Sequence, residues 1–339
     1  MRNHTLCRFH ASVTRVALFA ATILLAGIGS AAAASAQTTP SSGTPGTTDT
    51  VSMDLLQAED LSKSGHYKEA LALFDRYIQQ HPGNARALVD RGDIYHDAGD
   101  QPKAIADYTA AIAANPDYAY AYASRCESRW DIDQSKAALA DCTKALELDP
   151  QMGYALRQRA MVELDLGDLN AAQTDAEKAV SIDQNSAANL STRCRVRLAQ
   201  SQAAAALADC SAAVAIDDQW PTPRFYRGRA EFQLEQFAAA EADFTKYIAL
   251  QPNGENAYYW RAASRYKLQH YSDAIADVDH YLQLHPDDAD TYLLLARIKL
   301  AQGQKDAARD AATTALKHYR IDNDDVGANN AQKFLDALQ

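Results

Sequence analysis

The chain has 339 residues and a formal net charge of −11, with 33 Lys and Arg against 44 Asp and Glu. This balance argues against a nucleic-acid partner, because phosphate binding needs clustered Lys and Arg. Length and composition are those of a soluble protein of one to three ordinary domains, and the charge favours solubility without bearing on catalysis.

The first element is a targeting segment. Arg2, Arg8 and Arg15 carry positive charge, the uncharged run VALFAATILLAGIG follows, and GSAAAASAQ places Ala34-Ser35-Ala36 before Gln37. This predicts a signal peptide over residues 1–36, cleaved near Ala36/Gln37, and secretion across the inner membrane to the periplasm. The rival reading is an uncleaved anchor, since residues 16–34 are all uncharged; its strongly apolar part is too short to span, and membrane association follows only if the segment is retained. No cysteine follows the apolar run, so nothing suggests a lipoprotein. Cleavage removes Cys7, three arginines and no acids, which takes the charge from −11 to −14 and leaves four cysteines, an even number in an exported protein. The stretch TTPSSGTPGTTDT makes residues 37–50 a disordered linker.

From Val51 onward the sequence repeats every 34 residues, in units beginning at 51, 85, 119, 153, 187, 221, 255 and 289 with no insertion. Each unit has two apolar stretches at helical spacing with a polar break between them. Position 8 holds Ala58, Gly92, Cys126, Ala160, Cys194, Gly228, Ala262 and Ala296, and position 20 is Ala in all eight. Small residues there let two antiparallel helices approach closely, while larger apolar residues at positions 12, 17 and 24 fill the space around them. Pro82, Pro116, Pro150, Pro252 and Pro286 are positioned to stop the second helix of their units.

This pattern resembles the tetratricopeptide repeat family: the small residue at 8, Ala at 20, a frequent aromatic at 24 and Pro at 32 all match. The resemblance covers residues 51–322. It implies an all-α, right-handed superhelical solenoid of helical hairpins, with first helices lining a concave groove and second helices on the convex side. Units four, five and eight lack the terminal proline, and units four and eight have Ala at position 24, which predicts looser packing there. Residues 323–339 read as an amphipathic capping helix, with Phe334, Leu335 and Leu338 covering the last exposed face.

Repeats within one chain can be compared with one another. Position 7 is Arg91, Arg125, Arg159, Arg193, Arg227 and Arg261; position 23 in the same six units is Asp107, Asp141, Asp175, Asp209, Asp243 and Asp277. Units one and eight lose both partners together. Pairing within each hairpin leaves no charge alone, whereas pairing each Asp with the following Arg strands Arg91 and Asp277. The pairs are therefore expected to be structural ion pairs within hairpins.

Cys126 and Cys194 stand at position 8, and Cys142 and Cys210 at position 24 of the same units. Contacting helix axes lie about 8–10 Å apart, which leaves facing Cα atoms at roughly the separation a disulfide needs. Reduced cysteine acting as a small buried apolar residue is the alternative. An exported chain favours Cys126–Cys142 and Cys194–Cys210 crosslinks. The spacing lacks the close Cys pairs of a zinc site.

No HExxH, GxSxG, Walker loop or dinucleotide fingerprint occurs, so neither an enzyme nor a cofactor or metal is expected. His280 and His285 are five apart, off the spacing that puts two ligands on one helix face. A calcium-loop reading at Asp322, Asp324 and Gly327 fails at Val326 and Lys333.

The family resemblance implies that positions 2, 5, 9 and 13 of each first helix face the groove. The first four units then supply Glu59, Asp93, Asp97, Glu127, Asp131 and Asp165; from unit five onward come Arg195, Arg229, Lys267 and Arg297. Tyr120, Tyr154, Phe225 and Tyr259 share these positions, with Trp130 and Trp260 beside them. The reading is a non-catalytic interaction scaffold whose polarised groove orients a peptide or partner helix. For any single residue, a solvated charge or a packing aromatic is the simpler explanation. Two other classes stand as alternatives, a self-assembling structural protein and an envelope hydrolase of unrecognised type.

Overall fold

The computed structural model describes residues 53–338; the expected signal segment and linker lie outside them. Seventeen α-helices and no strand are found among the described residues. The first helices of the eight units are α1 (Met53–Lys63), α3 (Ala85–Asp97), α5 (Ala119–Trp130), α7 (Gly153–Asp165), α9 (Ala187–Ala199), α11 (Pro221–Gln233), α13 (Asn256–Lys267) and α15 (Ala289–Ala301). The second helices are α2 (Tyr67–Gln80), α4 (Gln101–Ala114), α6 (Ser135–Leu148), α8 (Leu169–Ile182), α10 (Ala203–Ile216), α12 (Phe237–Leu250), α14 (Tyr271–Leu284) and α16 (Lys305–Ile321). Helix α17 (Asp325–Asp336) closes the chain.

The helices form two compact units, α1–α4 and α5–α17, with the division after Ala114. Within each unit a first helix packs against its own second helix, the second helix against the next first helix, and successive first helices against one another. Each unit is thus a solenoid of helical hairpins, stabilised by contacts between neighbours.

The core sits where the two helices of a hairpin touch. All eight alanines at position 20 are completely buried, as are Ala58, Cys126, Ala160, Cys194, Ala262 and Ala296 at position 8. Position 8 faces position 24, and the pair of side chains differs from unit to unit. A Cβ on Gly92 would come within 2.7 Å of Tyr108 Cε1, and one on Gly228 within 3.0 Å of Phe244 Cε1. Where position 8 is Ala, position 24 carries Phe74, Ala176, Val278 or Ala312, all fully enclosed. Unit four is not loose despite Ala176: Ala160, Ala172 and Ala176 close against Val196 of the next first helix, all with no exposed surface. Short side chains there let the helices approach, so closeness replaces volume.

The second helices do not depend on proline to stop. Helices α8 and α10 end at the same register as their proline-bearing neighbours because an aspartate follows each. Asp183 Oδ1 accepts the Asn185 N–H, and Asp217 Oδ1 accepts the N–H groups of Gln219 and Trp220. Side-chain capture of the following backbone offers the chain a turn in place of another helical residue. Unit eight has Tyr319 at that place, and α16 runs on to Ile321 before α17 folds back. Phe334 and Leu335 pack on the last hairpin, and Leu338 is buried with them.

The turn inside every hairpin places position 15 in the left-handed region. Four units use glycine there, Gly65, Gly99, Gly167 and Gly303; the others hold Asp133, Ser201, Glu235 and Gln269 at φ between 60° and 64°. The turn closes the first helix with paired bonds, such as Gly99 N–H to His96 O and Asp100 N–H to Tyr95 O. A Cβ strains this conformation by about 1–2 kcal/mol, partly offset by the chain entropy that glycine loses on folding. Ser201→Gly is expected to raise stability by about 0.5–1 kcal/mol and Gly167→Ala to lower it by about 1 kcal/mol, measured by urea unfolding.

Candidate functional site

The charges of the first helices divide into those used within hairpins and those at positions 9 and 13. In the hairpins, each position-7 arginine grips the position-23 aspartate of its own unit through Nε and Nη2. The Nη2–Oδ1 distances are 2.6 Å for Arg91–Asp107, 2.7 Å for Arg125–Asp141, 3.0 Å for Arg159–Asp175, 2.7 Å for Arg193–Asp209, 2.6 Å for Arg227–Asp243 and 2.6 Å for Arg261–Asp277. All six aspartates are buried. The two-pronged geometry suits the planar guanidinium, and the hydrogen bond to the aspartate holds Arg91, Arg159, Arg193 and Arg227 above the ordinary arginine value.

A further residue of the network stands at position 11. In units three, five and seven it is Arg129, Arg197 and Arg265, whose Nη1 atoms reach the second oxygen of the same aspartates at 2.7, 2.7 and 2.8 Å. In units four and six it is Glu163 and Glu231. Here a second carboxyl sits by Asp175 or Asp243, and one oxygen of each glutamate is buried without a hydrogen-bond partner. Burial first, and the neighbouring aspartate second, push both glutamates from 4.5 to about 7, against the pull of Arg159 and Arg227. The alternation was present in the sequence, and comparing position 11 across units would have found it.

The sulfurs of Cys126 and Cys142 are bonded, as are those of Cys194 and Cys210, with Cα separations of 5.4 and 5.6 Å. The crosslinks occupy the position 8–24 contact that Gly–Tyr or Ala–Val fill elsewhere. They are consistent with an oxidising compartment.

Along the face, the acids of the early units have donors. Glu59 meets Arg86 at 2.8 Å, Asp93 accepts the Tyr108 hydroxyl at 2.7 Å, and Glu127 accepts the Tyr154 hydroxyl. Asp90, buried near Glu59, is pushed up to about 7 by desolvation. Asp165 accepts the Ser135 hydroxyl at 2.7 Å, Asp131 follows the last residue of α5, and Asp97 is exposed at the end of α3. Tyr120 is exposed and its ring lies 5.6 Å from Tyr154, giving an aromatic pair on α5 and α7. Trp130 packs on the Cys126–Cys142 cluster.

From unit five onward three of the cations lie on aromatic faces. Arg195 stands 4.8 Å over the ring of Tyr226, Arg229 stands 5.0 Å over Trp260, and Lys267 lies 5.8 Å from the Phe237 ring. Arg297 is exposed on α15. Phe225 and Tyr259 turn toward the packing: Phe225 lies edge-on to Phe244, and Tyr259 edge-on to Trp260, with its hydroxyl held up by burial. Tyr226, at position 6, carries Arg195 and lies outside the expected pattern of positions 2, 5, 9 and 13.

His280 stacks on Tyr258 at 4.0 Å, and His285 meets Glu255 at 2.7 Å. Asp324 caps α17 by accepting the N–H groups of Val326 and Gly327. No group of three or more metal-ligating side chains lies together among the described residues, and no helix there is long and apolar enough to cross a membrane.

Stacked hairpins of fixed length, closed by small residues at fixed positions, define a helical-repeat interaction protein. Family models described as tetratricopeptide repeat match residues 55–119 and 225–289, 265–324, and 156–186. The chain belongs to the tetratricopeptide repeat family, whose members generally serve as non-catalytic scaffolds that bind peptides or proteins. No curated protein matches it. Among solved structures it is similar to a chain of the APC/C hetero-tetramer Cut9-Hcn1, at 16% identity and a TM-score of 0.69 over 84% of this chain. It spans only 55% of that chain. Pseudomonas aeruginosa pilF is similar at 22% identity and a TM-score of 0.53, covering 63% of this chain and 96% of its own. A tetratricopeptide repeat protein from Parabacteroides merdae matches at 19% identity and 0.52, covering 75% and 98%. At these identities the likeness establishes the fold alone.

Two predictions follow from the hairpin chemistry. Intact mass of the unreduced protein is expected about 4 Da below the reduced value, and reduction should cost roughly 3 kcal/mol per crosslink in urea unfolding. For Glu163 and Glu231, the folded chain holds protons between about pH 4.5 and 7 that the unfolded chain releases, so their contribution to stability falls as pH rises through that window. The double variant Glu163→Gln/Glu231→Gln should therefore melt higher than the parent at pH 8 and alongside it at pH 5.

Proposed function

We propose that this chain is an exported scaffold of the cell envelope or periplasm that binds an extended peptide or a partner helix along its first helices. The observation that carries the reading is the segregation of sign at position 9. Successive units place Glu59, Asp93, Glu127, Met161, Arg195, Arg229, Ala263 and Arg297 there. A surface selected only for solvation has no need to order its charges along the chain, whereas a ligand of fixed direction is oriented by such an order. The aromatic pair Tyr120–Tyr154 adds an apolar anchor of the kind that dominates binding energy at interfaces. Export rests on the N-terminal sequence and is consistent with the crosslinks.

The test is binding of the basic peptide acetyl-(Lys-Pro-Ser)3-amide to the full mature chain and to the Asp93→Asn/Asp97→Asn/Asp131→Asn variant. Three partly exposed charge pairs at up to about 0.5 kcal/mol each amount to roughly tenfold in Kd at low salt, and the variant should also show a flatter salt dependence. Equal affinity and equal salt dependence in the two proteins reject the polarised face.

A further inference from the structure

Two arginines of the face differ from those inside the hairpins in having no carboxylate. Arg195 on α9 and Arg229 on α11 occupy position 9 of consecutive first helices, and neither makes an ion pair among the described residues. Each lies on the aromatic ring that the next first helix offers at position 6, Tyr226 for Arg195 and Trp260 for Arg229. Arg229 Nε is shut off from solvent and has no hydrogen-bond acceptor. Desolvation holds Arg229 below the ordinary arginine value, and the charge of Arg195 pushes in the same direction. A folded chain gains nothing internally from two cations placed to repel each other, one of them losing water without a partner. The early units offer the contrast, since Glu59, Asp93 and Glu127 all have donors, in Arg86, Tyr108 and Tyr154.

We infer that Arg195 and Arg229, seated on Tyr226 and Trp260, form a two-pronged cradle for the carboxylates of an acidic extended peptide segment. The inference rests on the scaffold reading and specifies what the basic end takes. A guanidinium stacked on a ring keeps its donor edge directed away from the ring plane contact and free for a planar carboxylate. Packed helix axes repeat at about 8–10 Å. A polyproline-type chain advances about 3.1 Å per residue with three residues per turn, so side chains three apart share a side at about 9.3 Å. Carboxylates at i and i+3 of such a segment therefore match position 9 on consecutive helices. Adjacent carboxylates do not. The ring faces supply apolar surface beside the charges, which suits a peptide better than a free anion.

The experiment is calorimetric titration of the full mature chain with acetyl-Gly-Glu-Pro-Pro-Glu-Pro-Pro-Glu-Gly-amide. Its Gln counterpart, an isomer with the three Glu adjacent, and inorganic phosphate serve as comparisons. Binding is expected for the first peptide, at least tenfold weaker for the Gln peptide and the isomer, and unaffected by equimolar phosphate. Arg195→Gln and Arg229→Gln should each weaken it at least tenfold, Arg229→Lys by less, and the exposed Arg320→Gln not at all. The melting temperature of Arg229→Gln should match or exceed that of the parent, because a cation without a partner is removed; a drop would mark a structural arginine and overturn the assignment. Equal binding of the Gln peptide, unchanged binding by the arginine variants, or displacement by phosphate would each overturn it as well. If the acidic peptide fails while the basic peptide still depends on Asp93, Asp97 and Asp131, the cradle alone is wrong. If neither peptide binds, the face reading falls with it.

Discussion

The contact between positions 8 and 24 is the constraint on which the other features rest. Two helices joined by a tight turn can bury a continuous apolar seam only if their backbones approach within the reach of short side chains. Each hairpin reaches that separation with a different pair of volumes. Gly92 receives the Tyr108 ring, Gly228 receives Phe244, Ala160 faces Ala176, and Cys126 and Cys194 are bonded to Cys142 and Cys210. Because the two helices of a hairpin adjust their approach to the pair they carry, every hairpin keeps the same length.

Fixed register has an electrostatic consequence. It places positions 7 and 23 opposite each other in unit after unit, so one bidentate ion pair is repeated six times with its carboxylate buried. Burial makes such a pair costly to break and forces its surroundings to adapt. Units three, five and seven add a second arginine to the aspartate; units four and six set a glutamate beside it instead and leave that carboxyl reluctant to ionise. The scaffold therefore tolerates protonation chemistry that has no connection with catalysis. It also uses up most of its half-buried arginines, which is why Arg195 and Arg229, equally placed but unpaired, stand apart from the rest.

The same stacking distributes residues between seam and face more finely than a list of positions can. Phe225 and Tyr259 share the numbering of face residues but serve as packing, since a ring at these places finds Phe244 or Trp260 within edge-to-face distance. Tyr226 lies one residue from Phe225 and supports Arg195 on the preceding first helix. Left-handed turns at position 15 were likewise hidden, because only four of the eight units use glycine there. The stop signal of the second helix was only partly legible for a related reason: proline is conspicuous in five units, but aspartate capture of the following N–H groups ends α8 and α10 without it.

A 34-residue period with Ala at position 20 and a small residue at position 8 was enough to determine the hairpin, its length and its family, because helical periodicity and close approach are local demands that each unit writes out again. Comparison of units also supplied the Arg–Asp and Cys–Cys pairings, since loss of both partners together is visible in one chain. What the letters could not give was environment. Whether an arginine is neutralised, laid on an aromatic ring or left beside another cation depends on the neighbouring hairpin, 27 to 31 residues away in the chain for Tyr154–Glu127 and Trp260–Arg229. Only the packed solenoid brings those side chains together, and the free energy of a charge is set by what surrounds it.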